Sequence, residues 1–578
     1  MSNRQLTIEN IHQLLFSTKL NRKHYWFWLL CSLAFAIFYS ALAFQQAFDG
    51  EYVVQDDARQ HVFWMYRYLD NELFPNDLIA DYFQSVAPLG YKAVYFIPSV
   101  IGIEPIVVSK IIPGILGLIM TGYCYAVSLE LLPIPLAGFV SALLLNQNLW
   151  LQDGLVSGTP KAFITPLLLA FLYYFLRRSL LGVCIAIALF GLFYPSTVFI
   201  CSGLLIIQLW SFKNGSWHLS NHRKDYIFCF IGLLVAFIVL LPYALSSSEY
   251  SPVITVEQAR QLPEFYSGGR AAFFDDESPW DFWFNGSRSG IKLAAALMPP
   301  LTYLAIVLVV ILNLPQTFPL SKKVSHKIEV LTQLILVSLV VFLVAHAVLF
   351  KLHLPSRYTQ HTLRIVIVLA GSIATIIIAD FCGRVVINNG KIKSVIATVI
   401  ALLLAGLLIF YPLFAKSFIW TRYNVGHATN LYQFLQQQPK DILVASLTSE
   451  TDNLPTFTQR SILVSREYAI PYHTGYYFPY RQKAMDLIAA QYSTDLKEVK
   501  DFIRKYNIDF WLVESSSFTP QYIEDNRWLK QHQPAAQNAI ALWQQNTTPV
   551  LTNFQDRCSV FSDDRYNLIA TDCILDSN

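Results

Sequence analysis

The chain has 578 residues, of which 54% are hydrophobic, 15% aromatic and 14% charged. A soluble domain carries about a quarter charged residues, so the composition excludes an ordinary cytosolic enzyme, and a formal net charge of +3 gives no reason to expect a nucleic-acid partner. Runs of roughly 20 apolar residues, enough to cross a ~30 Å hydrocarbon layer, recur along the chain, and the expected class is an α-helical polytopic membrane protein.

A polar head precedes the first apolar run, 25–44, and no small-residue cleavage site follows it, so this run is expected to stay as an anchor. Further runs lie at 106–129, 135–150, 161–176, 179–192, 195–211, 226–245, 292–312, 329–350, 362–381 and 393–414, giving eleven expected spans. The fifth and sixth are short and joined by Tyr194–Pro195–Ser196; a single broken helix there would change the parity. Cations gather in the head (Arg4, Lys19, Arg22, Lys23) and after the fourth, sixth, eighth and tenth runs. With eleven spans all of them fall on one side, which the positive-inside rule makes cytoplasmic. Connections 45–105, 151–160, 246–291 and 351–361 then face outward, as does everything after 415.

The first outward connection holds Gln55–Asp56–Asp57–Ala58–Arg59–Gln60–His61, a dense charged cluster where the first span leaves the bilayer. Val62, Phe63, Tyr66 and Leu69 follow at helical spacing, which predicts an amphipathic helix on the membrane surface. One aspartate suits a helix cap; capping does not account for the whole Asp-Asp-x-Arg-x-His pattern. The second connection, LQDGLVSGTP, carries Asp153 and leads into Lys161, which is expected to snorkel to the interface or to contact a phosphate. The third carries Arg260 and Arg270, a flexible Gly268–Gly269 pair, and the acids Asp275, Asp276 and Glu277. Those acids resemble a metal-ligand run and equally a solvated surface. Trp280, Phe282, Trp283 and Phe284 read as an interfacial aromatic belt or a sugar-stacking surface. The fourth is short: Lys351, His353, Arg357 and His361, with Arg364 one turn into the next span. A charge at that depth needs a partner, and arginine forks suit phosphate.

From 415 the composition turns polar. Short β-rich pieces at 442–447, 461–465 and 510–513, with a charged helical piece at 493–506, predict a separate α/β domain over 415–578. Six of the eight cysteines lie in or beside the spans. Cys558 and Cys573 lie in the tail, where an oxidising compartment permits a disulfide. No Cys/His spacing points to zinc.

An Asp-Asp motif in a long first outward loop, many spans, a late Arg-bearing loop (357–364, RYTQHTLR) and an outward tail resemble the C-type glycosyltransferase superfamily (GT-C). The resemblance covers about 1–415 in architecture and is specific at Asp56–Asp57. It implies an inverting transfer of a sugar from a polyprenyl-phosphate-linked donor, drawn from the lipid bilayer, to a glycan, lipid or protein acceptor. Asp57 or Asp56 would act as base. Arg59, His61, Lys161, Arg270, His353, Arg357, His361 and Arg364 are the candidate phosphate contacts. A divalent cation, Mg or Mn, would sit on Asp57 and Asp153, although a clear second acidic motif is missing. The implied setting is a bacterial inner membrane with a cytoplasmic N-terminus and a periplasmic tail. A transporter or flippase, or a non-catalytic assembly protein, is the competing reading. The tail segment 454–477 looks ordered and has no assigned chemistry.

Overall fold

The apolar runs form helices in the computed structural model, which describes residues 3–18, 21–213, 215–245, 248–388, 390–545 and 547–577. Lys19 of the cationic head lies outside them. Each expected span contains a helical segment. Among the described residues, six helices are long and apolar enough to cross a membrane: Arg22–Ala47, Pro105–Leu131, Arg223–Leu245, His326–Ala347, Ser356–Asn388 and Lys391–Phe414. Shorter apolar helices cover Pro160–Leu176, Leu180–Phe193, Pro195–Ile207 and Pro300–Leu312, and Pro135–Trp150 is almost entirely buried. Helix Ser356–Asn388 is the central post, packed on Pro135–Trp150, Glu329–Ala347 and Lys391–Phe414. Buried amides fasten the bundle where hydrophobicity alone cannot, since lipid is as apolar as leucine. Gln147 Nε2 donates to Leu408 O at 2.7 Å and Asn146 Nδ2 to Thr121 Oγ1 at 2.8 Å.

The first connection folds into strand Val53–Gln55, helix Asp56–Val62, a 3-10 turn Phe63–Tyr68, and helices Leu78–Val86 and Leu89–Val100. The expected amphipathic helix is α-helical only over Asp56–Val62 and tightens into the 3-10 turn, which leaves Leu69 exposed, and it does not lie on a surface. Ala58, Arg59 and Gln60 are buried along with Val62, Phe63 and Tyr66, because the tail folds back over it. The apolar face left open belongs instead to helix Leu89–Val100, where Leu89 is 68% and Ile97 67% exposed. Gln55 caps helix Asp56–Val62: its side chain accepts from the amides of Asp57 and Ala58. Neither aspartate is spent on capping.

The tail contains a five-stranded sheet in the order Ser461–Ile462, Leu443–Ser446, Phe510–Glu514, Tyr566–Ala570, Ser559–Ser562. The first three strands run parallel, and Tyr566–Ala570 is antiparallel to both of its neighbours. The expected helical piece is Leu496–Tyr506, capped by Asp495 and burying Val499, Phe502 and Ile503 at helical spacing. Cys558 and Cys573 are bonded, with Cα atoms 5.6 Å apart. The tail is stitched to the first connection by an antiparallel pair, Tyr423–Val425 against Val53–Gln55, and by Tyr82 stacked on Tyr476 with ring centroids 3.8 Å apart.

Candidate functional site

All four connections and the tail meet at a cavity of about 490 Å³. The first connection contributes Asp57, Gln60, His61 and Tyr82; the second, Lys161; the third, Arg270 and Arg288; the fourth, His353 and Arg357; the tail, Tyr472 and His473. Among the described residues, Asp57 is the one carboxylate in the lining, against four permanent cations.

A relay of alternating charges runs behind this lining. Arg270 Nη2 lies 2.8 Å from Glu467 Oε1, and Glu467 Oε2 is 3.2 Å from Arg59 Nη2. Arg59 reaches Asp56 at 3.0 Å, Asp56 faces Arg422 at 3.8 Å, and Arg422 contacts Asp153 at 3.1 Å. Asp153 lies 3.7 Å from Lys161, which closes on Asp57. Four cations and four carboxylates alternate, and both ends, Arg270 and Asp57, open on the cavity. Arg288 and Arg357 stand outside the relay: among the described residues neither forms an ion pair. Arg288 donates to the carbonyls of Arg270 and Ala272, and Arg357 to Gln360 at 3.3 Å.

These contacts set the protonation states. Burial works to raise the Asp57 pKa, but the charge and hydrogen bond of Lys161 override it and hold the carboxyl well below its ordinary value. Burial also opposes the charge on Arg59 and Arg270, and Glu467 overcomes that in both, while burial pushes the Glu467 carboxyl itself up to about 7 against the pull of Arg270 and Arg59. His61 is pushed down to about 4, first by burial and then, against the pull of Asp57, by Lys161 and Arg270. His353 keeps exposed surface, yet desolvation by the walls around it, with Arg357 and Arg288, pushes it down to about 3. Burial lowers His473, the third imidazole of the lining, as well, so the positive charge of the cavity comes from lysine and arginine.

The expected site divides accordingly. Asp57, His61, Lys161, Arg270, His353 and Arg357 converge. Asp56, Arg59 and Asp153 lie in the relay behind them, where Asp56 is held by Arg59 and by Asn424 Nδ2 at 3.1 Å. Arg364 and His361 do not line the cavity. Both are buried in the membrane bundle, and the Arg364 guanidinium bonds to Gln152 of the second connection. The partner that a charge at this depth needs is thus a neutral amide from the second connection. Lys161 does not snorkel; it turns inward to Asp57. Asp275, Asp276 and Glu277 form an exposed surface run.

The same architecture occurs in the oligosaccharyltransferase of the archaeon Archaeoglobus fulgidus. Its structures superpose with TM-scores of 0.53 in the apo form, 0.54 with a tethered acceptor peptide, and 0.55 with an inhibitory peptide and a dolichol-phosphate. Each is 12% identical, over 88% of this chain and 72% of that one. The chain has the GT-C fold. No family model matches its sequence, and no curated protein matches it significantly.

Within this GT-C scaffold, Arg288, Tyr194, Tyr472 and His473 are cavity residues that sequence reasoning missed. His473 Nδ1 bonds the Tyr82 hydroxyl at 2.9 Å. The local signal was the ordered segment 454–477, which supplies Glu467, Tyr472 and His473. The divalent cation expected on Asp57 and Asp153 does not fit the residues present. The Lys161 ammonium occupies the position between the two carboxylates, and the second oxygen of Asp153 is taken by Arg422. Among the described residues no three His, Cys, Asp or Glu side chains converge, whereas Mg-type cations need several oxygen ligands.

Proposed function

We propose that the protein is a membrane glycosyltransferase that moves a sugar from a polyprenyl-phosphate-linked donor to an acceptor hydroxyl at the outer face of a bacterial inner membrane. The observation that carries this reading is the charge left over in the cavity. Arg288 and Arg357 face it without carboxylate partners among the described residues, opposite a lone carboxylate, Asp57. A phosphate supplies the missing negative charge, and planar guanidinium forks match its oxygens. The apolar rim at Val86, Pro88 and Phe193 leads to the open face of helix Leu89–Val100. Exposed apolar surface of this kind suits a lipid chain arriving from the bilayer.

In the transfer step, the acceptor oxygen attacks C1 of the sugar while its proton passes to the Asp57 carboxylate. The bond from C1 to the phosphate oxygen breaks, and its electron pair leaves on the lipid phosphate. Arg288, Arg357 and Lys161 stabilise the charge that develops there. A single displacement of this kind inverts C1. The cation-rich head and connections support a cytoplasmic N-terminus, and the tail disulfide supports an oxidising outer compartment for 415–578.

The test is a proteoliposome assay with synthetic polyprenyl-phosphate sugars, scoring release of polyprenyl phosphate. Release by the wild type and its loss in a folded Asp57→Asn variant is the expected result. Undiminished release in that variant would remove Asp57 from the chemistry.

A further inference from the structure

We propose that Lys161 takes the place of a divalent cation in this site, so that the protein binds no metal there and transfer needs none. The inference rests on the glycosyltransferase reading for its chemistry and on Lys161 alone for its geometry. The Lys161 ammonium contacts Asp57 and stands 3.7 Å from Asp153. The neighbouring carboxylates are already neutralised: Asp153 by Arg422 at 3.1 Å, and Asp56 by Arg59 at 3.0 Å. A divalent ion would add two charges to a balanced set and would have to expel Lys161.

The loop that carries Lys161 is built to hold it there. Gly158 adopts a left-handed backbone, φ +61°, and a Cβ at this position would fall 2.8 Å from Ser109 O. The Tyr95 hydroxyl donates to Gly158 O at 2.9 Å, and Ser157 and Thr159 bond to each other at 2.8 Å. Pro160 then opens the 3-10 turn Pro160–Phe163, which points Lys161 at Asp57. A fixed ammonium beside the leaving phosphate oxygen supplies the charge that a metal would otherwise bring.

The experiment is Mn²⁺ binding by electron paramagnetic resonance on the full chain in nanodiscs, with and without polyprenyl phosphate. Thermal unfolding serves as the fold control. The wild type and Asp57→Asn are expected to leave Mn²⁺ equally unbound at millimolar concentration. A stoichiometric Mn²⁺ signal in the wild type that disappears in Asp57→Asn would overturn the proposal, whether or not any transfer has been detected. In the transfer assay, a chelator is expected to leave the rate unchanged, while Lys161→Ala lowers it by about a hundredfold, the usual effect of removing one preorganised charge donor. Loss of transfer on chelation, restored by Mg²⁺ or Mn²⁺, would also overturn it.

Discussion

Replacing Arg357 separates a phosphate site from a surface charge. Its guanidinium lines the cavity, makes no ion pair among the described residues, and touches Gln360 at 3.3 Å. Most of its donors are therefore free for a ligand. Hydrogen bonds to charged groups contribute roughly 1.5–3 kcal/mol each, so losing a forked contact costs about 3 kcal/mol. At about 1.4 kcal/mol per factor of ten, Arg357→Ala should weaken polyprenyl-phosphate binding by more than about a hundredfold. Arg357→Lys keeps a point charge and loses the fork; half of that cost is about tenfold. Arg364→Gln is the control, since Arg364 contacts Gln152 and not the cavity; it should lower stability with a much smaller effect on affinity. Native mass spectrometry of the nanodisc-embedded protein titrated with polyprenyl phosphate reads the affinities, and thermal unfolding reads the fold. Unchanged affinity in folded Arg357→Ala and Arg288→Ala variants would refute the argument that these two arginines hold phosphate.

Glu467→Gln keeps the shape of the side chain that clamps Arg59 and Arg270 but removes its charge. Breaking a buried pair costs about 3–5 kcal/mol, so both the unfolding temperature and phosphate affinity should fall; no change in either would show that the tail does not support the site. His61 has a folded pKa of about 4 against 6.5 unfolded. The unfolded chain therefore takes up a proton first, and this contribution to stability, complete above pH 6.5, should be lost as pH falls toward 4. Comparing unfolding temperatures of the wild type and His61→Asn across that window should show a smaller acid loss in the variant, and identical slopes would contradict the assignment. Thiol labelling of the unfolded, unreduced chain should modify the six free cysteines and spare Cys558 and Cys573. Reduction should destabilise the tail by about 3 kcal/mol for a loop of this length, and labelling at all eight positions would exclude the bond.

Much of this arrangement was legible in the residues. Apolar run length located the helices, and β-branched and aromatic runs located strands Leu443–Ser446 and Phe510–Glu514. Charge density singled out Asp56–Asp57 against a chain otherwise poor in charge. Periodicity could place Val62, Phe63 and Tyr66 on one helical face but could not say what covers the opposite face; the tail does, which is why Arg59 and Gln60 are buried. Gln55 as the cap was not foreseeable from cap preferences, which favour Ser, Thr, Asp and Asn. The depth of Arg364 in its span demands a partner, and only the fold shows that the partner is Gln152. The hairpin Ser559–Ser562 and Tyr566–Ala570 is signalled in the sequence chiefly by Asp563–Asp564 at its turn. Least legible was the charge relay. Its members lie in five separate segments from Asp56 to Glu467, and nothing local in sequence states that Glu467 neutralises Arg59 and Arg270.

The central claim is that one cavity holds a lipid-linked phosphate opposite Asp57. A cryo-electron microscopy structure with a non-hydrolysable polyprenyl-phosphate sugar tests it most directly. The account predicts phosphate density bonded to the guanidinium groups of Arg288 and Arg357, with the sugar toward Asp57 and the lipid chain leaving past Val86 and Phe193 along helix Leu89–Val100. Phosphate density away from these arginines, with the cavity unfilled, would contradict it.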